Sequence, residues 1–505
     1  MIVKIKLEFP IGDLLYATKT IQDASGNWSN IITDLGILNR SIAINNSYEE
    51  SGLSITFSDI DRYFRNMMAT SNKYISGKTV TLYDIYDTII YIGTVSSWSY
   101  PKNEFTINVT DFLSGINEKI NETILVADFP NAADEAIGEF IPVIYGELSA
   151  TLGILNCYKV ATSLFLVARH HCKSIDNVFE DGAEIVGGWS MDNNADGNCY
   201  VNYAGSKNVI IVNIKGSMDI SNNLITEPVE ALIDMITNYT SIDYQVWAFA
   251  RSESVMQARG YVINSIVTNE TLSEYLKDFC YSFASDWMVQ KQNRIAIDTV
   301  DPFTTAVLDT FSEKDVLKGS YHVIEDLQEM VNTQQVFYGY NYSTKEYKYK
   351  PVRTDTTSVT NWGSFFEEYY MKCTSDEATA TNASYVYLTQ RKNPIIKTYF
   401  SVRLNVISDL NMGGVILFSH PDGFVTTNQK YKILRRNMDF SDEFMQLELL
   451  RLFPLGGGMI LGDRTALDPS WDDATTAEKE YAYLGDRDTG FFSNGYDPAK
   501  VLHSR

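Results

Sequence analysis

From Gly77 to Asp111 the chain reads GKTVTLYDIYDTIIYIGTVSSWSYPKNEFTINVTD, and its apolar positions fall into three short runs. Val80, Leu82 and Tyr83 lie in the first and Ile89 to Ile92 in the second. In the third, Phe105, Ile107 and Val109 alternate with Thr106, Asn108 and Thr110. That period of two is the mark of a strand with one face buried. Asp84, Asp87, Pro101 and Asn103 supply the turns between them. The pattern predicts a three-stranded meander, an element that closes small barrels and pairs edges but carries no chemistry.

Upstream, Ile2–Glu8, Ile31–Ile37 and Leu53–Phe57 read as strands, and Ser58 as the N-cap of a helix over Asp59–Ala69. Asp111 is expected to cap a short segment after the meander. Between 151 and 216 the pattern is again β-rich, with Leu155–Val160, Leu164–Ala168 and Val209–Ile214 as strands and a hairpin turn at Asp181-Gly182. A helical section starts near Pro228, where Val229, Leu232, Ile233 and Ile236 recur on one face. A second helix follows the Thr271–Glu274 capping box, then a hairpin, Trp287–Gln290 with Arg294–Asp298. Strands are predicted at Val336–Tyr340 and Glu346–Lys350, and a helix over Ser375–Leu388. From 395 to 452 alternation returns, with Phe400, Val402, Leu404 and Val406 against Ser401, Arg403 and Asn405, and three further strands at Val415–Phe418, Tyr431–Leu434 and Phe444–Leu449. Past Pro454, Gly456, Gly457, Gly458 and Gly462 mark a joint, and Trp471–Tyr483 is a short helix candidate.

The expected fold class is β-rich α+β and multidomain: a barrel-like domain over 1–115, a β-rich insertion over 116–225, an α+β domain over 226–385, a second barrel-like domain over 386–455, and a C-terminal arm over 456–505. The pattern leaves open whether the second barrel shares strands with the first.

Composition sharpens this. The 505 residues carry 41 Lys and Arg against 64 Asp and Glu, a net of -23. Such a balance opposes a protein that grips nucleic acid by its phosphates, while suiting solubility or a conduit through which DNA slides. With 32 Tyr and 25 Phe but 12 Pro, packed strands are favoured over disorder. No run of about 18 apolar residues exists, so no insertion of this chain into a membrane is expected. MIVKIKLEF enters strand alternation at once, without a leader pattern. The five cysteines, Cys157, Cys172, Cys199, Cys280 and Cys373, are scattered and contain no CxxC, and are read as buried small hydrophobes.

Candidate chemistry is thin. Asp192, Asn194 and Asp196, followed by Gly197, match the first half of a calcium loop. The twelfth position is Tyr203, where bidentate coordination needs Glu, so an Asx-rich hairpin tip is preferred. His170 and Cys172 share a strand face and would give a zinc ion only two ligands. No HExxH, GxSxG, Walker A or GxGxxG run occurs. The expectation is no catalytic residue, no cofactor and no metal.

In order, ILNRSIAINNSYEESGLSITFSDIDRYF, the IYIGTVSSW to FTINVTD meander (Gly93, Asp111), DFPNAADEAIGEFIPVIYGEL (Phe129, Pro130, Pro142, Tyr145, Gly146), VARHHCKSIDNVFEDGAEI (Asp181, Gly182), ETLSEYLKDFCYSFASDWMVQKQNRIAI and MGGVILFSHPDGF with YKILRRNMDFSDEFMQLELL (Gly413, Gly414, where a GD pair is usual) resemble the hub, or tail-tip, proteins of tailed bacteriophages and gene transfer agents. The resemblance spans 31 to 452. It implies a structural virion protein, a homotrimer at the tail tip or baseplate, assembled in the host cytoplasm. Its two barrels per subunit would give a pseudo-sixfold ring matching the tail tube. Implied partners are further copies of itself, the tail tube or a distal tail protein, and a central spike or fibre, with DNA only in transit through a negatively charged lumen. These motif residues would be structural. The alternative is a β-rich glycan-binding or glycan-cleaving tail protein, in which Trp98, Trp189, Trp247, Trp287 and Trp362 serve as sugar platforms, although a buried core role is the default for each.

Overall fold

A computed structural model of the chain describes residues 3–8, 13–23, 26–42, 48–50, 52–71, 75–111, 116–290, 294–299, 307–404, 410–421 and 429–452. The arm over 456–505, its helix candidate and the segment 112–115 after Asp111 lie outside the described residues.

The meander forms as three strands, Thr79–Tyr83, Ile89–Ser99 and Glu104–Asp111. They sit at the centre of a seven-stranded antiparallel sheet. Lys4–Leu7 and Leu14–Ala17 extend one side, and Leu53–Ser58 and Ile32–Leu35 the other. The sheet nearly closes on itself. Ser29, just ahead of the Ile32–Leu35 edge, accepts from Ala17 N–H at 3.0 Å and donates to Leu15 at 3.1 Å on the opposite edge. Helix α1, Tyr63–Ser71, stoppers one end by stacking Phe64 on Phe105 at 4.5 Å. Its start differs from the sequence expectation. Ser58 ends a strand, and Asp59 does the capping, accepting from Phe64 N–H at 3.1 Å and Arg65 N–H at 3.2 Å. A carboxylate reaches past one extra turn of chain, which a sequence pattern does not display.

The expected strand over 31–37 is two strands in two different sheets. At Gly36 the chain leaves the first sheet, and Ile37–Ile42 pairs with Gln429–Asp439 of a second. A Cβ at Gly36 would meet Ser54 O at 3.1 Å, so the crossing strand runs tight against its neighbour. The second sheet is a half-barrel ordered Val307–Ser312, Val415–Ser419, Gln429–Asp439, Phe444–Arg451, Ile395–Arg403 and His322–Asp326. It therefore draws strands from 37–42 and 307–326 as well as from 395–452. One of its pairings, Val307–Ser312 with Val415–Ser419, is parallel. One apolar core runs through both sheets, from Ile5, Phe57, Val80 and Ile107 to Phe400, Ile416, Phe418 and Leu447.

Residues 147–217 form a separate eight-stranded antiparallel sheet whose core holds Cys157, Phe165, Val178, Val201 and Val212. The body that follows has α2, Pro228–Tyr239; α3, Val246–Ala258; and α4, Leu272–Ser282. The Thr271–Glu274 capping box forms, with Thr271 Oγ1 accepting from Glu274 N–H at 3.2 Å and Thr271 N–H donating to Glu274 at 2.7 Å. Helix α3 and the short α5, Thr356–Trp362, escape the sequence reading because neither has a clear apolar stripe. Helix α6, Glu377–Arg391, covers a four-stranded sheet built on Thr333–Asn341.

Candidate assembly interface

The residues that organise the molecule sit on the hairpin Ser285–Gln290 with Arg294–Thr299. It is buried on both faces, and the period of two sorts its side chains between two cores. Trp287, Val289, Ile295 and Ile297 enter the helical body, while Met288 and Ala296 enter the barrel core. Asp286 and Asp298 share the parity of Met288 and Ala296 and lie directly opposite one another in the register. Two like charges across a strand pair are unfavourable by themselves. Two cations resolve the conflict. Lys432, from the second sheet, pairs with Asp286 and stands 3.3 Å from Asp298; Arg251, from α3, pairs with Asp298. Lys432 is 2% exposed and Asp298 3%. The pair of carboxylates holds the Lys432 ammonium above its ordinary range despite burial, and burial pushes the Asp286 carboxyl up. Gln290 adds a buried hydrogen bond to Met412 O at 3.2 Å. The hairpin is thus a rigid joint between body and barrel.

None of Asp286, Asp298, Lys432 or Arg251 was singled out from sequence. The available signal was a lone lysine inside the apolar run YKIL at 431–434. A second buried lysine, Lys4, ties the first sheet together. It bonds Asp23 at 2.8 Å, pairs with Asp87 in the 84–88 turn, and lies over the Trp28 ring.

Gly93 and Asp111 are register partners across the meander, and a Cβ at Gly93 would fall 2.6 Å from Thr110 O. Phe129 packs beside Ile124, Ile141 and Leu166, with Pro130 exposed after it. Pro142 is buried and accepts from Arg169 N–H at 2.9 Å. Tyr145 is fully buried and donates to Asp234 at 2.7 Å; burial and Asp234 push its hydroxyl pKa far up. Gly146 has φ +77° and would place a Cβ 2.0 Å from Ile263 O. It sits where the chain passes from the body into the insertion sheet. Asp181 and Gly182, at φ +50° and +76°, make the hairpin turn between Cys172–Glu180 and Ala183–Glu184. Gly413 approaches Met288, and Gly414 approaches Leu308. The structure brings Gly413 to the buried hairpin and Gly93 to Asp111.

Asp192, Asn194 and Asp196 form the tip of the hairpin Trp189–Asn193 with Cys199–Tyr203. Asp196 accepts from Tyr200 O–H at 2.6 Å and Asn198 N–H at 2.9 Å, so both of its oxygens serve the turn. His170 Nε2 accepts from Ile144 N–H at 2.8 Å, and burial lowers its pKa. Cys157, Cys172 and Cys199 are buried free thiols. Among the described residues no three His, Cys, Asp or Glu side chains gather as metal ligands. Of the tryptophans, Trp287 is core, but Trp98, Trp247 and Trp362 are each more than two-fifths exposed, against the buried default. They stand on three different elements, a strand, α3 and α5.

Both rims of the first barrel carry exposed large apolar side chains among charged ones. Ile85 and Tyr86, the latter 86% exposed, occupy the turn after Thr79–Tyr83. At the other rim, where Asp59 N–H bonds Asn103 O at 2.8 Å, stand Ile60, 73% exposed, Tyr63 and Trp98.

No family model matches the chain, and no curated protein matches it in sequence. Solved structures do. A tail protein from Neisseria meningitidis MC58 is similar over 89% of this chain and 96% of its own, with 7% identity and a TM-score of 0.42. The 43 kDa tail protein of prophage MuSo2 from Shewanella oneidensis matches over the same shares at 10% identity and a TM-score of 0.41. A chain of the native gene transfer agent virion matches 66% of this chain and 89% of its own, at 13% identity and a TM-score of 0.39. The solved structures to which this chain is similar include tail, baseplate and gene transfer agent proteins and a component of a type VI secretion system.

Proposed function

We propose that this chain is a structural virion protein, a homotrimeric hub at the tail tip or baseplate. In this reading it joins the tail tube or a distal tail protein to a central spike or fibre and lines the channel for DNA ejection. The observation that carries the reading is the sharing of one apolar core by a nearly closed sheet and a half-barrel, which exchange a strand at Gly36. Two barrel units locked into one rigid piece are what a threefold ring needs to present six similar positions to a sixfold tube. The colinear motifs between 31 and 452 support the same reading. The body, fixed to the second sheet by the Lys432 joint, would carry the threefold layer beneath the ring. Ile85 and Tyr86 on one rim, and Ile60, Tyr63 and Trp98 on the other, would meet the proteins above and below.

Imaging of intact particles at side-chain resolution tests this. Three copies around the tail axis are expected. An off-axis position, or another copy number, overturns the proposal.

A further inference from the structure

The first sheet points its apolar side chains inward and offers solvent a face of a different kind from the rest of the protein. On the strands Leu53–Ser58, Ile89–Ser99 and Glu104–Asp111 the outward positions include Thr56, Thr94, Ser97, Thr106, Asn108 and Thr110. Charge appears away from these three strands, with Glu104 at one rim, Asp34 on the edge strand, and Lys6 paired with Glu8 and Asp13 on the far side of the sheet. The outer face of the second sheet is mixed in charge, with Lys397, Arg403, Arg435 and Glu448. In a chain of net charge -23, a broad stretch of hydroxyls and amides without a carboxylate or cation needs a reason.

The hydrogen bonds of this face supply one. Thr56 and Thr106 bond each other across strands at 3.0 Å. Asn108 donates to Ser97 Oγ at 2.9 Å, Ser96 donates to Asn108 O at 3.0 Å, and Thr110 donates to Thr94 O at 3.4 Å. The donors are turned onto neighbouring acceptors within the sheet. Proteins retain nucleic acid through cations and free donors aimed at phosphate; these three strands present no cation outward, and several of their donors are engaged within the sheet. It lacks the large aromatic or arginine anchors on which protein interfaces depend. It also lacks carboxylates that would repel a passing phosphate.

Resting on the hub reading, we infer that this hydroxyl face lines the channel and that its partner is duplex DNA in transit, passed by neutrality rather than by negative charge. The expectation of a negative lumen is thereby replaced at this level of the channel by an uncharged wall of hydroxyls and amides, several of them bonded to one another.

Reconstruction of the assembled tail, together with the double variant Thr106→Lys and Asn108→Lys in the full-length chain, tests the inference. With the chain on the axis, Thr106 and Asn108 are expected to face the lumen. The double variant should assemble tails in normal yield but release genome about tenfold more slowly at low salt, recovering at high salt as the added cations are screened. Release at the wild-type rate from intact tails overturns the inference. So does a reconstruction with the chain on axis and this face turned outward or buried against another subunit, an outcome that leaves the hub reading standing. A chain absent from the axis removes both. If the double variant does not assemble, the wild-type reconstruction alone decides.

Discussion

Lys432 Nζ lies 3.3 Å from Asp298 Oδ2, both side chains nearly fully buried, linking the second barrel to the hairpin of the helical body. With Asp286 and Arg251 it completes a group of two cations and two carboxylates. Removing Lys432 leaves Asp286 without its cation and Asp298 with Arg251 alone. Lys432→Met is therefore expected to cost ~3–5 kcal/mol, the range for breaking a buried pair by deleting one partner. Chemical denaturation of the full chain measures it, and a loss below about 1 kcal/mol would contradict the assigned role.

Glu227 should make stability depend on pH. One of its oxygens caps α2 by accepting from Glu230 N–H at 2.6 Å, while the other is buried without a partner. Burial pushes its pKa up to about 7 from an ordinary 4.5. The folded state thus holds this proton more tightly than the unfolded chain does. Stability from this group is full below pH 4.5, declines as pH rises toward 7, and stays low above it. Glu227→Gln keeps an oxygen for the cap and removes the charge. It is expected to raise the Tm at pH 8 and to leave it nearly unchanged at pH 4.5. An equal shift at both values would refute this origin.

Gly146 and Gly187 separate backbone strain from crowding. Both have positive φ, +77° and +81°, but a Cβ at Gly146 meets the Ile263 carbonyl at 2.0 Å, while at Gly187 nothing lies within 4 Å. Gly187→Ala should cost about 1 kcal/mol, the left-handed penalty alone. Gly146→Ala should cost ~3 kcal/mol or more, since backbone must move as well. Equal unfolding midpoints for the two variants would contradict the assigned close approach.

Asp59 is the cap of α1 and also accepts the Tyr100 hydroxyl. Asp59→Ala is expected to lower stability by ~1–2 kcal/mol. Hydrogen exchange should show the added opening concentrated in α1 and the 100–103 turn. Ser58→Ala, at the position read from sequence as the cap, should have a much smaller effect.

The local grammar of this fold was legible in the chain. Alternation located the meander, the hairpin at 285–299 and most strands of 395–452, because a strand with one buried face must alternate. The Thr271–Glu274 box announced α4, since its bonds join residues three apart. Helices α3 and α5 were illegible, as their stability comes from packing on neighbours rather than from an apolar stripe. The site residues fared worse. Lys4, Asp87, Asp286, Asp298 and Lys432 look like ordinary charges on strands or turns, and only partners 83 or 146 positions away make them structural.

What sequence by itself determined about this protein is therefore its β-rich class, the turns at Asp181-Gly182 and around the meander, and an order of motifs like that of tail hubs. Each rests on interactions between residues close along the chain. Tertiary structure alone decided that 31–37 divides at Gly36 between two sheets, that both sheets share one core, and that buried lysines fasten the parts. Those outcomes depend on pairings between residues up to hundreds of positions apart. Strand periodicity says which side of a strand is apolar, but not which distant strand will cover it.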